Sequence, residues 1–343
     1  MKPSLSVIIR SKDEADRLRL TLTSLSIQSH GAEIVVVNDG SSDHTRDVLQ
    51  DAASDMSVTV IHHDQPVGRS AASNIGARAA SGDILLFLDG DTLAAPDLVE
   101  SHLTLHQTKA DLICRGSTYH LRCTRPFLDP EAGTPQAGQE EKVERMSDAD
   151  RKRALVTRQQ IRQAFDEIDQ RAQPGVYPGF GPRKLFALEM GALTETPDCP
   201  VLWAAASGAN QSLSRTAFLE AGGFLPEIDN NEHRELALRL AQRGLTMVGN
   251  PGRSYHMTHR SGWRDPLEQA DWEAIFFAAH PIPEVALLRV LWSTLSDTTD
   301  IPKAAQLHSL PELADAADRY RHIKTREGIL SAHLAREGKF DVR

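Results

Sequence analysis

Ile84-Leu85-Leu86-Phe87-Leu88-Asp89-Gly90-Asp91 is the stretch that decides the fold. Its first five residues are all apolar and read as a strand buried on both faces, which runs directly into an acid, a glycine and an acid. The same pattern extends toward the N-terminus. Residues 5–9 are a short β-branched run, and residues 34–37 are another, closed by the turn-prone Asn38-Asp39-Gly40. Between them Ser11-Lys12-Asp13-Glu14 has capping-box spacing, followed by Leu18, Leu22 and Leu25 at helical intervals. Residues 45–53 read as a second helix, 58–61 as a third strand and 70–80 as an Ala-rich helix. Buried strands alternating with helices predict an α/β fold with a mostly parallel central sheet. Ligands of such sheets bind beyond the carboxyl ends of the strands, where Asp39 and Asp89 stand.

Bulk properties narrow the function. The chain has 343 residues, 40% of them hydrophobic and 25% charged, the profile of a soluble globular protein. A formal net charge of -9 argues against nucleic acid or an anionic membrane as a partner. Cys114, Cys123 and Cys199 lack metal-site spacing and read as reduced thiols of a cytoplasmic protein. The apolar run within the first ten residues is too short for a signal peptide, and no segment approaches the ~18 apolar residues of a membrane span.

The middle of the chain changes character. Residues 125–201 are rich in Pro, Gly and charge, with a polar helix expected over 148–173 and a turn-rich segment over 175–182. This is either an irregular surface insertion or a lid that grips a substrate. Order returns with a short helix over 215–221, a Gly222-Gly223 stop and an amphipathic helix over 232–243. The tail from Pro266 reads as mainly helical.

Asp89-Gly90-Asp91 carries the chemistry. A sugar diphosphate needs a divalent cation to offset its charge, and hard oxygen ligands suit Mn²⁺ or Mg²⁺. Glycine between the acids permits a tight turn and close approach of a ligand. Around this motif four blocks resemble family 2 glycosyltransferases. They are residues 6–14, residues 33–43, residues 68–91, and Gly222-Gly223-Phe224 with the helix from Glu232.

The resemblance implies a GT-A fold, organised as a nucleotide-sugar-binding half (1–122), an insertion forming an acceptor or lid region (123–200), an acceptor-side half (201–262) and a helical C-terminal extension (263–343). It also implies roles. Asp39 would accept from the nucleotide base, uracil being favoured; a turn cap through Ser41 or Ser42 is the alternative. Lys12 stands where many relatives place a stacking aromatic residue. Arg69 and Asn74 would line the donor pocket, with Arg69 supplying the charge that relatives carry at the position of Ser73. Asp89 would face the ribose, or the metal through water, and Asp91 would bind the metal directly, as a turn acid of little weight in the core. His256 has the spacing of the histidine that completes such a metal site, with His259 the second candidate. Relatives usually begin the acceptor helix with Glu-Asp, the Asp being the base; here the pair is Glu232-His233. His233 is the first candidate and predicts kcat/KM rising through a pKa near ~6.5. Glu232 and Asp229 are the alternatives. Ser207-Gly208-Ala209-Asn210 is either a simple tight turn or an approach of backbone to the ligand.

The expected activity is metal-dependent sugar transfer from a nucleotide-sugar, a UDP-sugar favoured, to a small-molecule, glycan or peptide acceptor. Direct displacement would invert the anomeric centre. A catalytically silent relative that binds nucleotide-sugar is one alternative. A nucleotidyltransferase is another, but the N-terminal region lacks a glycine- and arginine-rich triphosphate loop. A dinucleotide oxidoreductase is rejected, because Arg10-Ser11-Lys12-Asp13-Glu14 stands where G-x-G-x-x-G would be needed.

Overall fold

The computed structural model describes residues 3–109, 111–174, 185–259, 271–295 and 299–337. Strands β1 (Leu5–Ser11), β2 (Glu33–Asp39), β3 (Thr59–His63) and β4 (Ile84–Asp89) lie parallel in the order β3-β2-β1-β4. The sheet continues through β5 (Thr92–Ala94), β6 (Leu112–Leu121), β7 (Gln211–Ser214) and β8 (Thr246–Met257), in the order β4-β7-β6-β8-β5. There β7 runs antiparallel to both β4 and β6, β8 is parallel to β6, and β5 is antiparallel to β8. The parallel half is the part that the apolar runs foretold.

Both faces of that half are covered. Helices α1 (Ala15–Leu25), α2 (Thr45–Asp55) and α4 (Leu98–Thr108) press Leu18, Leu22, Leu49 and Leu103 against Val7, Ile9, Val36 and Leu86. The alternate residues, Ile8, Val35 and Phe87, face the other way, beneath α3 (Arg69–Ala79). Gly76 lets α3 sit that close, since a Cβ there would come within 2.8 Å of the Ile8 side chain.

Two local expectations fail for identifiable reasons. Ser11 ends β1 rather than capping a helix, and α1 begins at Ala15, whose N–H donates to Asp43 Oδ2 at 3.0 Å. Asp13 adopts a left-handed φ of 51° while its carboxylate accepts from Ser42 N at 2.7 Å. The cap therefore arrives from the loop after β2, not from within the motif. The polar helix expected over 148–173 is three short helices, Asp148–Ala154, Arg158–Gln163 and Phe165–Asp169. Ser147 and Thr157 each cap a fresh start, Thr157 in a full capping box with Gln160. The breaks let Val156, Ile161 and Ile168 all turn inward onto Leu20, Leu93 and Tyr255. The turn-rich segment 175–182 lies outside the described residues.

The remaining chain is mainly helical as expected. Helix α5 (Leu185–Glu195) and α6 (Glu232–Gln242) pack with Trp272–Ala279 and Pro283–Trp292 around one apolar cluster that includes Trp203, Leu236, Phe276, Leu288 and Leu291. Among the described residues no helix is long and apolar enough to cross a membrane.

Candidate active site

The two acids of Asp89-Gly90-Asp91 part company. Asp89 ends β4 beside Arg10, its register neighbour on β1, and accepts from Arg10 Nη2 at 2.9 Å. Asp91 turns into the antiparallel half and is only 3% exposed, so it is not a surface turn acid. Pairing of β5 with β8 sets Thr92 opposite His256, and Met257 N–H donates to Asp91 O at 2.9 Å. This brings Asp91 Oδ2 within 2.9 Å of His259 Nε2 and 3.4 Å of His256 Nε2. The three ligand atoms lie within 4.8 Å of one another. Burial alone would raise the Asp91 carboxyl; the two histidines outweigh it and hold it well below the usual carboxylate range. Asp89, which sequence reasoning placed in the cation set, is instead ion-paired to Arg10, and His259 stands with Asp91 and His256. The H-x-x-H spacing at the end of β8 was the signal for both histidines.

The donor set of two imidazoles and a carboxylate fits a divalent transition metal. His256 Nδ1 is buried without a hydrogen-bond partner among the described residues. His120 faces His256 across the β6–β8 register with ring centroids 5.1 Å apart, and burial pushes it down to about 3. A Cβ on Gly90 would crowd the Glu14 carboxylate, the movable end of a flexible side chain. A cleft of about 570 Å³ opens beside His259, lined also by Asp13, Glu14, Asp43, Phe127 and Leu128.

At the end of β2, Asp39 is buried and accepts from Val67 N at 2.7 Å and Gly68 N at 3.0 Å. Burial pushes its carboxyl up, and those amides and the charge of Lys12 oppose the shift. The following turn is closed by Asn38 Oδ1, which accepts from Ser41 N at 3.2 Å, so Asp39 is not its cap. Each carboxylate oxygen can accept twice, which leaves Asp39 capacity for a base N–H.

Two other predicted site residues turn out to be braces. Asp229 Oδ2 and Oδ1 accept from Arg69 N and Ser70 N, each at 2.9 Å, capping α3 from a distant loop. Asp229 therefore braces the start of α3. Asn74 spends its amide on one residue, donating to Phe224 O and accepting from Phe224 N, each at 2.8 Å. It clips α3 to the Gly222-Gly223-Phe224 turn.

Glu232 and His233 open α6. Glu232 lies 3.7 Å from Arg10 and 3.5 Å from His233 Nδ1. Burial opposes its ionisation, but His233, Arg10 and Arg69 prevail and hold the carboxyl at about 2. His233 Nε2 is 3.0 Å from Arg234 Nη1. A guanidinium only donates, so Nε2 accepts and the ring proton sits on Nδ1. Burial and then Arg234 push the ring below its ordinary pKa, so it is neutral. Arg234 is itself fixed by Ala204 O at 2.9 Å, by a buried ion pair to Glu189, and by the Trp292 ring 4.9 Å from its guanidinium carbon. Gly208 packs on this helix start; a Cβ would stand 3.2 Å from His233 Nδ1. Arg10 bridges Asp89 and Glu232, at 2.9 and 3.7 Å.

A parallel βα half, an acidic pair at its last strand and a mixed second half carrying a histidine pair define the GT-A fold of glycosyltransferases. Residues 6–148 match the family described as Glycosyl transferase family 2. Validoxylamine A glucosyltransferase of Streptomyces hygroscopicus subsp. jinggangensis (strain 5008) is 34% identical over 152 residues, covering 43% of this chain and 36% of that protein. The uncharacterized glycosyltransferase YfnE of Bacillus subtilis (strain 168) is 34% identical over 113 residues, 32% of this chain and 29% of that protein. The chain thus spans about a third of the length of the curated relatives it matches. Among solved structures, S. aureus TarS in complex with UDP-GlcNAc aligns over 99% of this chain and 76% of its own, with a TM-score of 0.52 and 12% identity. The mannosyltransferase PcManGT from Pyrobaculum calidifontis, in complex with GDP-Man and Mn²⁺, aligns over 100% of this chain and 77% of its own, with a TM-score of 0.50 and 16% identity. At these identities the structures speak for the fold.

Proposed function

We propose that this protein is a metal-dependent glycosyltransferase that moves a sugar from a nucleotide-sugar to an acceptor hydroxyl by direct displacement with inversion. The observation that carries the proposal is the convergence of Asp91, His256 and His259 beside the Arg10-bridged pair of Asp89 and Glu232. A divalent cation held by the triad would offset charge on the donor diphosphate and on the leaving group. The two imidazoles favour Mn²⁺ over Mg²⁺ in that place. Asp39 accepts from the base, and Asp89, steadied by Arg10, accepts from a ribose hydroxyl. A UDP-sugar is the favoured donor, in keeping with the bound UDP-GlcNAc of TarS; the GDP-Man of PcManGT makes guanosine the competitor to test.

Glu232 is the base in this reading, reversing the sequence preference for His233. His233 offers no free lone pair, because Nε2 is engaged by Arg234 and Nδ1 carries the proton. As the acceptor oxygen bonds to the anomeric carbon and the bond to the diphosphate breaks, the hydroxyl proton becomes acidic and passes to a Glu232 oxygen. A weak base serves at that late point. His233 Nδ1 faces that carboxylate at 3.5 Å. The domain plan of the sequence reading is retained, with the 123–200 insertion and parts of the tail shaping the acceptor site.

The test is a panel of UDP- and GDP-sugars assayed for nucleotide release with Mn²⁺, Mg²⁺ or EDTA. Release of UDP from one donor, dependent on the cation, is the expected result. The neutral His233 in place of the usual acid favours one second reading, a protein that binds donor without turnover. Tight donor binding with no release under any metal would select it.

A further inference from the structure

Behind the site a chain of buried hydrogen bonds runs from α4 to β8. His106 Nε2 is 2.8 Å from Ser212 Oγ, Ser212 Oγ is 2.7 Å from His102 Nδ1, and His102 Nε2 is 2.7 Å from Asn210 Oδ1. Asn210 Nδ2 lies 3.0 Å from Gly252 O and 3.4 Å from Ser117 O. His102 and Asn210 are both fully buried. Facing two carbonyls, the Asn210 nitrogen must be the donating NH₂, which leaves Oδ1 to accept from His102 Nε2–H. His102 Nδ1 then accepts from the Ser212 hydroxyl, which in turn accepts from His106 Nε2–H. Every proton has one place, and both rings are neutral. Burial pushes each histidine down to about 4, so the arrangement holds through the neutral range.

The carbonyl at the far end sits in a distortion of β8. Gly249 pairs with Arg115 and Arg253 with Ser117, so four steps on β8 face two on β6. The extra residues are housed by Asn250-Pro251-Gly252, with Gly252 N–H donating to Asn250 Oδ1 at 2.6 Å. Their loss would slide the rest of the strand by two residues, about 6–7 Å. His256 would then no longer stand opposite Thr92. Asn210 also ties this bulge to the strand that delivers the acids, since its N–H donates to Phe87 O at 2.8 Å and its carbonyl accepts from Gly116 N at 2.8 Å. Its left-handed φ of 64° suits Asn, which tolerates that region.

We propose that Asn210 and His102 are positioning residues for the cation site. They lock the β8 bulge in the register that carries His256 and His259 to Asp91. The proposal rests on the cation reading above, and it assigns the register to a network that touches none of the three ligands.

The experiment pairs His102→Leu, which deletes both bonds, with His102→Gln, which keeps one donor and one acceptor. Amide hydrogen exchange is read without metal at a temperature where each variant is folded, and Mn²⁺ titration follows on the same proteins. The expected result for His102→Leu is faster exchange confined to residues 250–259, with α2 and β3 unchanged, and Mn²⁺ affinity weaker by roughly 10-fold, the scale of outer-shell metal mutations. His102→Gln is expected to restore both. Exchange that rises evenly along the chain, or Mn²⁺ affinity equal in wild type and His102→Leu, overturns the inference and leaves the cation reading standing. A wild type that takes up no Mn²⁺ refutes the cation reading instead, and this role for His102 falls with it even where the exchange shows the clamp.

Discussion

At the scale of single residues, charge and hydrogen-bond direction decide the roles. Glu232 and His233 are adjacent in sequence, yet a guanidinium against Nε2 engages one, while His233, then Arg10, keep the other ionised. Glu232→Gln is therefore expected to lower kcat by roughly 10²–10⁴-fold with donor affinity nearly unchanged. His233→Gln should act mainly on acceptor KM. A His233 variant with the larger kcat loss of the two would reverse the assignment. The pH dependence follows the same pair. A carboxyl depressed to about 2 is ionised throughout the neutral range, so kcat/KM should show no rise through ~6.5. Its contribution to stability is complete above the ordinary carboxylate pKa of ~4.3 and is lost as pH falls through about 2. Acid unfolding of Glu232→Gln compared with wild type over that window checks the sign: the variant should lose less stability between pH 4 and 2.

At the scale of elements, most of the first hundred residues were legible, because strands buried on both faces leave uninterrupted apolar runs. Helix starts were less so. Capping here is done at long range, Asp43 for α1 and Asp229 for α3, and no local spacing reveals a cap supplied from another loop. For the same reason Asn74 and Asp229 read in sequence as donor-pocket and base candidates, while the bonds each makes in the structure join distant elements. Asn74→Ala leaves both backbone groups of Phe224 without a partner in a buried place. It should destabilise the fold by about 2–3 kcal/mol while leaving the UDP affinity of the folded protein unchanged. Denaturant unfolding and UDP titration separate the two effects; a variant of wild-type stability with weakened UDP binding would return Asn74 to the donor pocket. The cation corner was half legible. The acid-glycine-acid motif and the H-x-x-H pair are visible in sequence, but only the β5–β8 pairing shows that Asp91 turns toward the histidines while Asp89 turns to Arg10.

At the scale of the whole molecule, the acceptor-side half and the C-terminal helices share one core. Leu288 and Leu291 of the extension pack in the same cluster as Trp203 and Leu236, and Trp292 stacks on Arg234, next to the candidate base pair. The boundary drawn near residue 262 is therefore expected to be no boundary in stability. Calorimetry of the full chain should show one cooperative transition, and a resolved second transition would contradict the shared core. The same coupling links the extension to the candidate base pair through Arg234, which no sequence pattern announced. The cation site at Asp91, His256 and His259 is tested most directly by calorimetric titration of UDP in Mn²⁺ and in EDTA, for wild type and Asp91→Asn. Mn²⁺ should tighten UDP binding by roughly 10-fold or more in wild type, a coupling of ordinary size, and Asp91→Asn should bind UDP in Mn²⁺ no better than wild type does in EDTA. Equal affinity of the wild type for UDP with and without Mn²⁺ would contradict it.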